Sequence, residues 1–150
     1  MAKIALHGFG RIGRSALRAA LQKNLWVPVS ISDIRDPQSF AALFEVDTNY
    51  GRWPEPVEAT DNSIIIGGRE IQYINSMQSL PDWGAMGVDL VVDCTGRAVT
   101  RQGAQPHLDK GAKRVLVSAP SKSAQDCDAV LLPGINLDKF NADLTAFIKG

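Results

Sequence analysis

Six residues near the amino terminus, Gly8-Phe9-Gly10-Arg11-Ile12-Gly13, are spaced as G-x-G-x-x-G. The chemistry that suits this spacing is the cradling of phosphate. A first glycine allows a tight turn, a second lets backbone approach a pyrophosphate, and a third permits close packing of helix on strand. Free N–H groups at a helix start then face the phosphate oxygens. Alone the pattern is weak, and context gives it force. It follows an apolar run, Lys3-Ile4-Ala5-Leu6, and opens a stretch of helical spacing. Asp33 stands twenty residues after Gly13, at the end of the next strand-like segment. A carboxylate there accepts from a ribose hydroxyl pair and repels a 2′-phosphate, which favours NAD over NADP. Arg35 nearby weakens that preference slightly. Gly8, Gly13, Arg14 and Ser15 also approximate a P-loop, with Val88–Asp93 as its metal-bearing strand. That reading puts a planar guanidinium where a compact lysine charge is needed, and it leaves Gly10 and Asp33 without a purpose.

The other reactive side chains are few. Two cysteines, Cys94 and Cys127, and two histidines, His7 and His107, cannot build a disulfide framework or a cysteine-rich metal site, so no metal is expected. Cys94 ends an apolar strand, where burial raises a thiol's pKa. Cys127 lies between Asp126 and Asp128, whose charges disfavour a thiolate. His107 follows Pro106 in a helical stretch and is expected to face partly outward, while His7 abuts the glycine loop as a supporting group. Trp26, Trp53 and Trp83 are isolated and read as packing residues. No catalytic constellation emerges.

The elements that must position these residues follow from periodicity. After the first strand, Arg11–Lys23 has helical spacing, with Ile12, Ala16, Ala19, Ala20 and Lys23 near one face and Asn24 as a left-handed stop. Val27, Val29 and Ile31 alternate up to Asp33, and Pro37–Phe44 is a short helix with proline in its first turn. Residues 57–60, 64–66 and 70–73, separated by Asp61-Asn62-Ser63 and Gly67-Gly68, read as antiparallel hairpins. Val88–Asp93 is a central strand, Thr100–Lys110 a helix ended by Gly111, and Arg114–Val117 and Ala129–Leu132 further strands. The expected fold is α/β: a Rossmann-type, doubly wound, mostly parallel sheet with an antiparallel hairpin insertion, residues 1–150 forming one domain.

Composition agrees. The 150 residues are 45% hydrophobic and 21% charged, and sixteen basic residues balance sixteen acidic ones. A domain of this length buries roughly 70% of its unfolded surface. Zero net charge argues against nucleic acid or anionic lipid as a bulk electrostatic partner. The longest apolar run is five residues, Phe40–Phe44, against about 20 for a membrane span. A reduced, cytoplasmic setting is expected, without a signal-peptide core.

Several motifs together resemble a known family. His7-Gly8-Phe9-Gly10-Arg11-Ile12-Gly13-Arg14, Ser32-Asp33, Tyr50-Gly51-Arg52, Cys94-Thr95-Gly96, Ser118-Ala119-Pro120-Ser121-Lys122 and Gly134-Ile135-Asn136 occur in the order found in phosphorylating glyceraldehyde-3-phosphate dehydrogenases. The resemblance is to their N-terminal, NAD-binding domain and covers nearly the whole chain. It implies that Arg11 and Ile12 offer backbone N–H groups to the pyrophosphate and that Asp33 holds the adenosine ribose. It also implies that Thr95 and Gly96 line the cleft and that Ser118 and Ala119 approach the nicotinamide.

There are departures, the largest at the end of the chain. His7 replaces the usual asparagine, and Asn75-Ser76-Met77-Gln78-Ser79 stands where the family has an Arg-Asp-Pro-type adenine-side segment. That segment is similar to the erythrose-4-phosphate dehydrogenase branch. The family's nucleophile motif would begin just after Gly150, and its catalytic domain is absent from these residues. The resemblance implies a full enzyme, a homotetramer, in which a cysteine attacks an aldehyde phosphate, hydride passes to NAD and inorganic phosphate cleaves the thioester. The 150 residues would bind NAD without catalysing that reaction. The alternatives are the cofactor domain of an erythrose-4-phosphate dehydrogenase and a stand-alone NAD-binding sensor or regulatory module. Against the latter, Ala146-Phe147-Ile148 reads as a strand leading towards the missing nucleophile.

Overall fold

The apolar runs of the chain form the strands of a nine-stranded sheet in a computed structural model that describes residues 2–120, 123–139 and 147–149. Strand β1 (Ile4–His7) feeds helix α1 (Arg11–Gln22), which returns to β2 (Ser30–Asp33). Helix α2 (Pro37–Glu45) is N-capped by Asp36, whose carboxylate accepts from the Ser39 N–H at 2.7 Å. Strands β3 (Val46–Asp47) and β4 (Gly51–Arg52) make a separate antiparallel ribbon. An antiparallel meander follows, formed by β5 (Val57–Ala59), β6 (Ser63–Ile66) and β7 (Arg69–Asn75). The second half comprises β8 (Leu90–Asp93), α3 (Arg101–Asp109), β9 (Arg114–Val117), β10 (Ala129–Val130) and β11 (Phe147–Lys149).

The strand order is β10-β11-β9-β8-β1-β2-β7-β6-β5. From β10 to β7 every pairing is parallel, and β6 and β5 are added antiparallel. The hairpins therefore extend the main sheet, because β7 pairs in parallel with β2, Asn75 opposite Asp33. The chain leaves β1 through β2 on one side and resumes on the other through β8. With right-handed crossovers, α1 and α3 fall on opposite faces, as in a doubly wound Rossmann-type sheet.

Strand pleating sorts the core into two faces. Leu6 and Val92 join Leu17 and Leu21 of α1 and Phe40 and Phe44 of α2, while Ala5 and Val91 pack with Trp83 and Val88 on the opposite side. The next residues on that second face are His7 and Asp93, which sit opposite one another in the β1–β8 register.

Two local expectations fail. Of the face expected for α1 Ala20 is buried, but its neighbours there are Arg14, Leu17, Arg18 and Leu21, and Ile12 is 55% exposed. Gly13 packs against the Gly8 carbonyl on this buried face, and the buried arginines find carbonyl partners. Arg14 Nη1 donates to Phe9 O at 2.9 Å, and Arg18 Nη2 donates to the carbonyls of Phe44, Glu45 and Gly51. Strand β2 also begins later than the valine alternation suggests, with Val27 and Val29 exposed and Ser30 and Ser32 buried. Pro28 has no N–H for a ladder and delays the pairing. Asn24 adopts φ 51°, the expected left-handed stop.

Candidate functional site

A cavity of about 560 Å³ opens at the carboxyl ends of β1, β2 and β8, where the strand order reverses. Open α/β sheets bind ligands at this switch point, and the volume is typical of a small-molecule site. Gly8, Gly10, Asp33 and Thr95 line it, together with His7 and Asp93.

The glycine turn is built by close backbone approach. Gly8 takes φ +87°, and a Cβ there would lie 2.8 Å from the Thr95 N and Cγ2 atoms. Gly13 packs so tightly that its Cβ would stand 2.2 Å from the Gly8 carbonyl oxygen. At Gly10 a Cβ would meet nothing within 4 Å. Packing within the chain therefore explains Gly8 and Gly13, and leaves Gly10 as space kept open towards the cavity. Gly10 is also the N-cap of α1 and supplies no side-chain hydrogen bond, so the N–H groups of the first turn, Arg11 and Ile12 among them, are not capped from within. These features fit a dinucleotide pyrophosphate. Phe9 anchors the turn: its ring is fully buried, 5.6 Å from that of Phe40 and 6.0 Å from that of Phe44.

Asp33 closes the β2 end of the cleft. Its Oδ2 accepts from the Phe9 N–H and its Oδ1 from the Ile34 N–H, both at 2.6 Å. Each carboxylate oxygen has a second lone-pair direction, so two further hydroxyl donors can be accepted.

A second polar group lies beneath Thr95. Asp93 Oδ1 accepts from the Thr95 N–H at 2.8 Å and from its hydroxyl at 2.7 Å. Asp93 Oδ2 lies 3.0 Å from His107 Nε2, and the Trp83 indole donates to His107 Nδ1 at 3.2 Å. Burial alone would push the Asp93 carboxyl up. The His107 and Thr95 donors, with His7 nearby, outweigh it and hold the group below the usual carboxylate range. His7 bonds through Nδ1 to Ser32 Oγ at 2.8 Å, and its ring centroid is 5.0 Å from that of His107. Burial holds the His7 imidazole below its ordinary value of 6.5, and the neighbouring His107 and Arg97 act in the same direction. The expectation of an outward-facing His107 is thus corrected: only 2% of it is exposed.

His7, Asp93 and His107 bring ligand-type atoms within 4.8 Å of one another. An indole N–H only donates, so His107 Nδ1 must accept and Nε2 carries the ring proton. That proton already bridges to Asp93, where a metal would need a bare nitrogen.

Gly96 follows Thr95 in the same turn, with φ +71°. Ser118 and Ala119 lie just beyond β9, outside the residues lining the cavity, where the Ser118 N–H donates to the Asp93 carbonyl at 3.0 Å. Ser121 and Lys122 of that motif lie outside the described residues. Burial pushes the Cys94 thiol up, as expected, and Cys127 is buried. Among the described residues no helix is long and apolar enough to cross a membrane. The sequence reading missed the Trp83–His107–Asp93 contact. Its one available signal was Asp93 itself, a carboxylate ending an apolar strand that needs a buried donor.

Comparison with known proteins bears on this cleft directly. The family model described as glyceraldehyde 3-phosphate dehydrogenase, NAD binding domain, matches residues 2–101. The glyceraldehyde-3-phosphate dehydrogenase of Kitasatospora aureofaciens is 40% identical over 99% of this chain and 45% of its own length. That of Chlamydia pneumoniae is 40% identical over 94% and 42%, and that of Geobacillus stearothermophilus 38% over 93% and 41%. The chain spans less than half the length of these relatives. The matched residues run from β1 through the Thr95 turn to the start of α3, the part of the fold that builds the cleft, and the chain belongs to the glyceraldehyde-3-phosphate dehydrogenase NAD-binding domain family.

Proposed function

We propose that Gly8, Gly10, Arg11, Ile12, Gly13, Asp33, Thr95 and Gly96 hold NAD in this cleft, with Ser118 and Ala119 towards the nicotinamide. In this reading residues 1–150 are one cofactor-binding domain. Arg11 and Ile12 offer backbone N–H groups to the pyrophosphate, aided by the partial positive charge at the start of α1. Asp33 accepts from the adenosine ribose hydroxyls, and the Thr95–Gly96 turn forms the wall beyond β8. The chemistry NAD supplies when bound is the acceptance of a hydride at its nicotinamide ring. The observation that carries this reading is the open space at Gly10 beside the two glycines that packing requires.

Cys94 is a poor nucleophile, because burial raises its pKa and leaves little thiolate at neutral pH, and Cys127 is buried. This half therefore binds and orients the cofactor while a catalytic half elsewhere in a longer protein supplies the nucleophile. The substrate class proposed for that protein is an aldehyde phosphate, oxidised with inorganic phosphate in a cytoplasmic homotetramer. Calorimetric titration of the chain with NAD, followed by an assay with glyceraldehyde 3-phosphate and phosphate, tests both parts. Saturable NAD binding without NADH production is expected. NADH production by these 150 residues would overturn the division of labour, and absence of NAD binding would overturn the site.

A further inference from the structure

We propose that His107 is a positioning residue for the cofactor cleft, holding the Asp93 carboxylate that clamps the Thr95 turn against the glycine loop. The inference rests on the reading of that cleft as the NAD site. Its hydrogen bonds have one sense only. Trp83, fully buried, donates its indole N–H to His107 Nδ1, which places the ring proton on Nε2 and directs it at Asp93 Oδ2. The other oxygen, Asp93 Oδ1, is left for the amide and hydroxyl of Thr95. Thr95 Oγ1 in turn accepts from the Arg97 N–H at 3.1 Å, which completes the turn.

The clamp matters because of what rests on it. The Thr95 amide and methyl occupy the space a side chain on Gly8 would need, so the turn is the wall that seats the glycine loop. Gly8 runs close along the Thr95 backbone on one side, and its carbonyl is the surface against which Gly13 packs on the other. The network thus joins three separate segments to the cleft: the Trp83 loop, helix α3 and the end of β8. A histidine present only to fill volume could be replaced by an apolar side chain of similar size. This position needs a group that accepts from an indole and donates to a carboxylate at once. His7 of β1 is the titratable group that faces the pair, and Asp33 of β2 and Arg97 of the turn act on His7 in their turn.

The test uses the chain and NAD. Long-range proton–nitrogen spectra of the unliganded chain read the tautomer, and calorimetry reads NAD affinity for the wild type, His107→Gln and His107→Leu. Glutamine keeps a donor for Asp93 and leucine does not. Expected results are a ring proton on Nε2, an affinity about tenfold weaker in His107→Leu, the loss expected when a hydrogen bond to a charged group is removed, and recovery of most of it in His107→Gln. A merely structural role predicts equal losses in both variants. Equal losses, wild-type affinity in His107→Leu, or a ring proton on Nδ1 would each overturn the proposal. If the leucine variant does not fold, Trp83→Phe removes the indole donor and leaves a smaller ring in the same buried place. The proposal then requires weaker NAD binding and loss of the single tautomer, and unchanged affinity overturns it. If the wild type binds no NAD, the cofactor reading fails by itself. The positioning role is then read from the Gly8 and Thr95 amide resonances, which must move in His107→Leu and return in His107→Gln.

Discussion

Substituting alanine at Gly13 and at Gly10 separates packing from ligand space within one loop. In a helix interior alanine is favoured over glycine by about 1 kcal/mol, so propensity alone predicts that Gly13→Ala stabilises. The structure predicts the reverse. The new Cβ would lie 2.2 Å from the Gly8 carbonyl oxygen, which requires a shift of about 1 Å to reach ordinary contact. That carbonyl belongs to a turn fixed on both sides, by the Gly8 N–H bond to Ser32 O at 2.8 Å and by the Thr95 wall. Overpacking of this kind costs about 1–3 kcal/mol, and a backbone oxygen yields less than a side chain, so the upper end applies. After the propensity gain, the net loss is about 2 kcal/mol, or roughly 4–8 °C in Tm for a domain of this size. Gly10→Ala meets no neighbour and needs no unusual φ, since Gly10 sits at −69°. It costs about 0.5–1 kcal/mol as a poorer N-cap, yet its methyl enters the space assigned to pyrophosphate. Urea unfolding and NAD titration of both variants give the comparison. Gly13→Ala should be the less stable protein and Gly10→Ala the weaker binder, by at least about tenfold. A Gly13→Ala chain as stable as the wild type, or a Gly10→Ala chain binding NAD normally, would refute the reasoning.

Asp33→Asn should weaken NAD and narrow the gap to NADP, because the 2′-phosphate no longer meets a carboxylate; competitive titration of both cofactors checks this. Stability should fall as pH drops below 6.5, where the unfolded chain protonates His7 and the folded chain, with its lowered value, does not. Urea melts between pH 5 and pH 8 should show this slope, and His7→Asn should flatten it. Asp93 acts in a lower window: its stabilisation is present above 3.8 and is lost as pH falls from there towards its lowered value. Arg18→Met should cost about 2–4 kcal/mol in urea unfolding, since it strips donors from three carbonyls and a cation from the faces of Phe44 and Trp53. Arg18→Lys should recover little of this, because an ammonium lacks the planar fork.

Much of the architecture was legible because local signals and fold agree. Arg114–Val117 is a strand with the expected bounds, and the Asp61 and Gly67-Gly68 turns fold the meander as read. The glycine loop and Asp33 could be placed because backbone conformation, which glycine and strand ends dictate, builds that part of the cleft. What escaped was side-chain partnership across the sheet. His107 looked like a helix surface residue, since nothing in its neighbours along the chain reveals that Trp83 and Asp93 converge on it from two other segments. Arg18 broke the apolar pattern of α1 for the same reason, since its carbonyl partners lie 26 to 33 residues away, while Arg14 turns back to the Phe9 carbonyl. Periodicity assumes that buried means apolar, and it misreads a helix whose buried charges are paid in backbone hydrogen bonds.

The burial of Phe9 determines when the binding loop comes into being. In many sites the phosphate loop orders only around its ligand, and part of the affinity is lost to that ordering. Here the loop's one large side chain is wedged among the rings of Phe40 and Phe44, so the loop cannot open without breaching the core. Site formation and chain folding are then one cooperative event. The Phe9 amide should exchange its hydrogen for deuterium as slowly as the central strands do, with or without cofactor. Ligand arrival then finds a surface already set, and the association rate is governed by encounter and orientation rather than by a prior rearrangement.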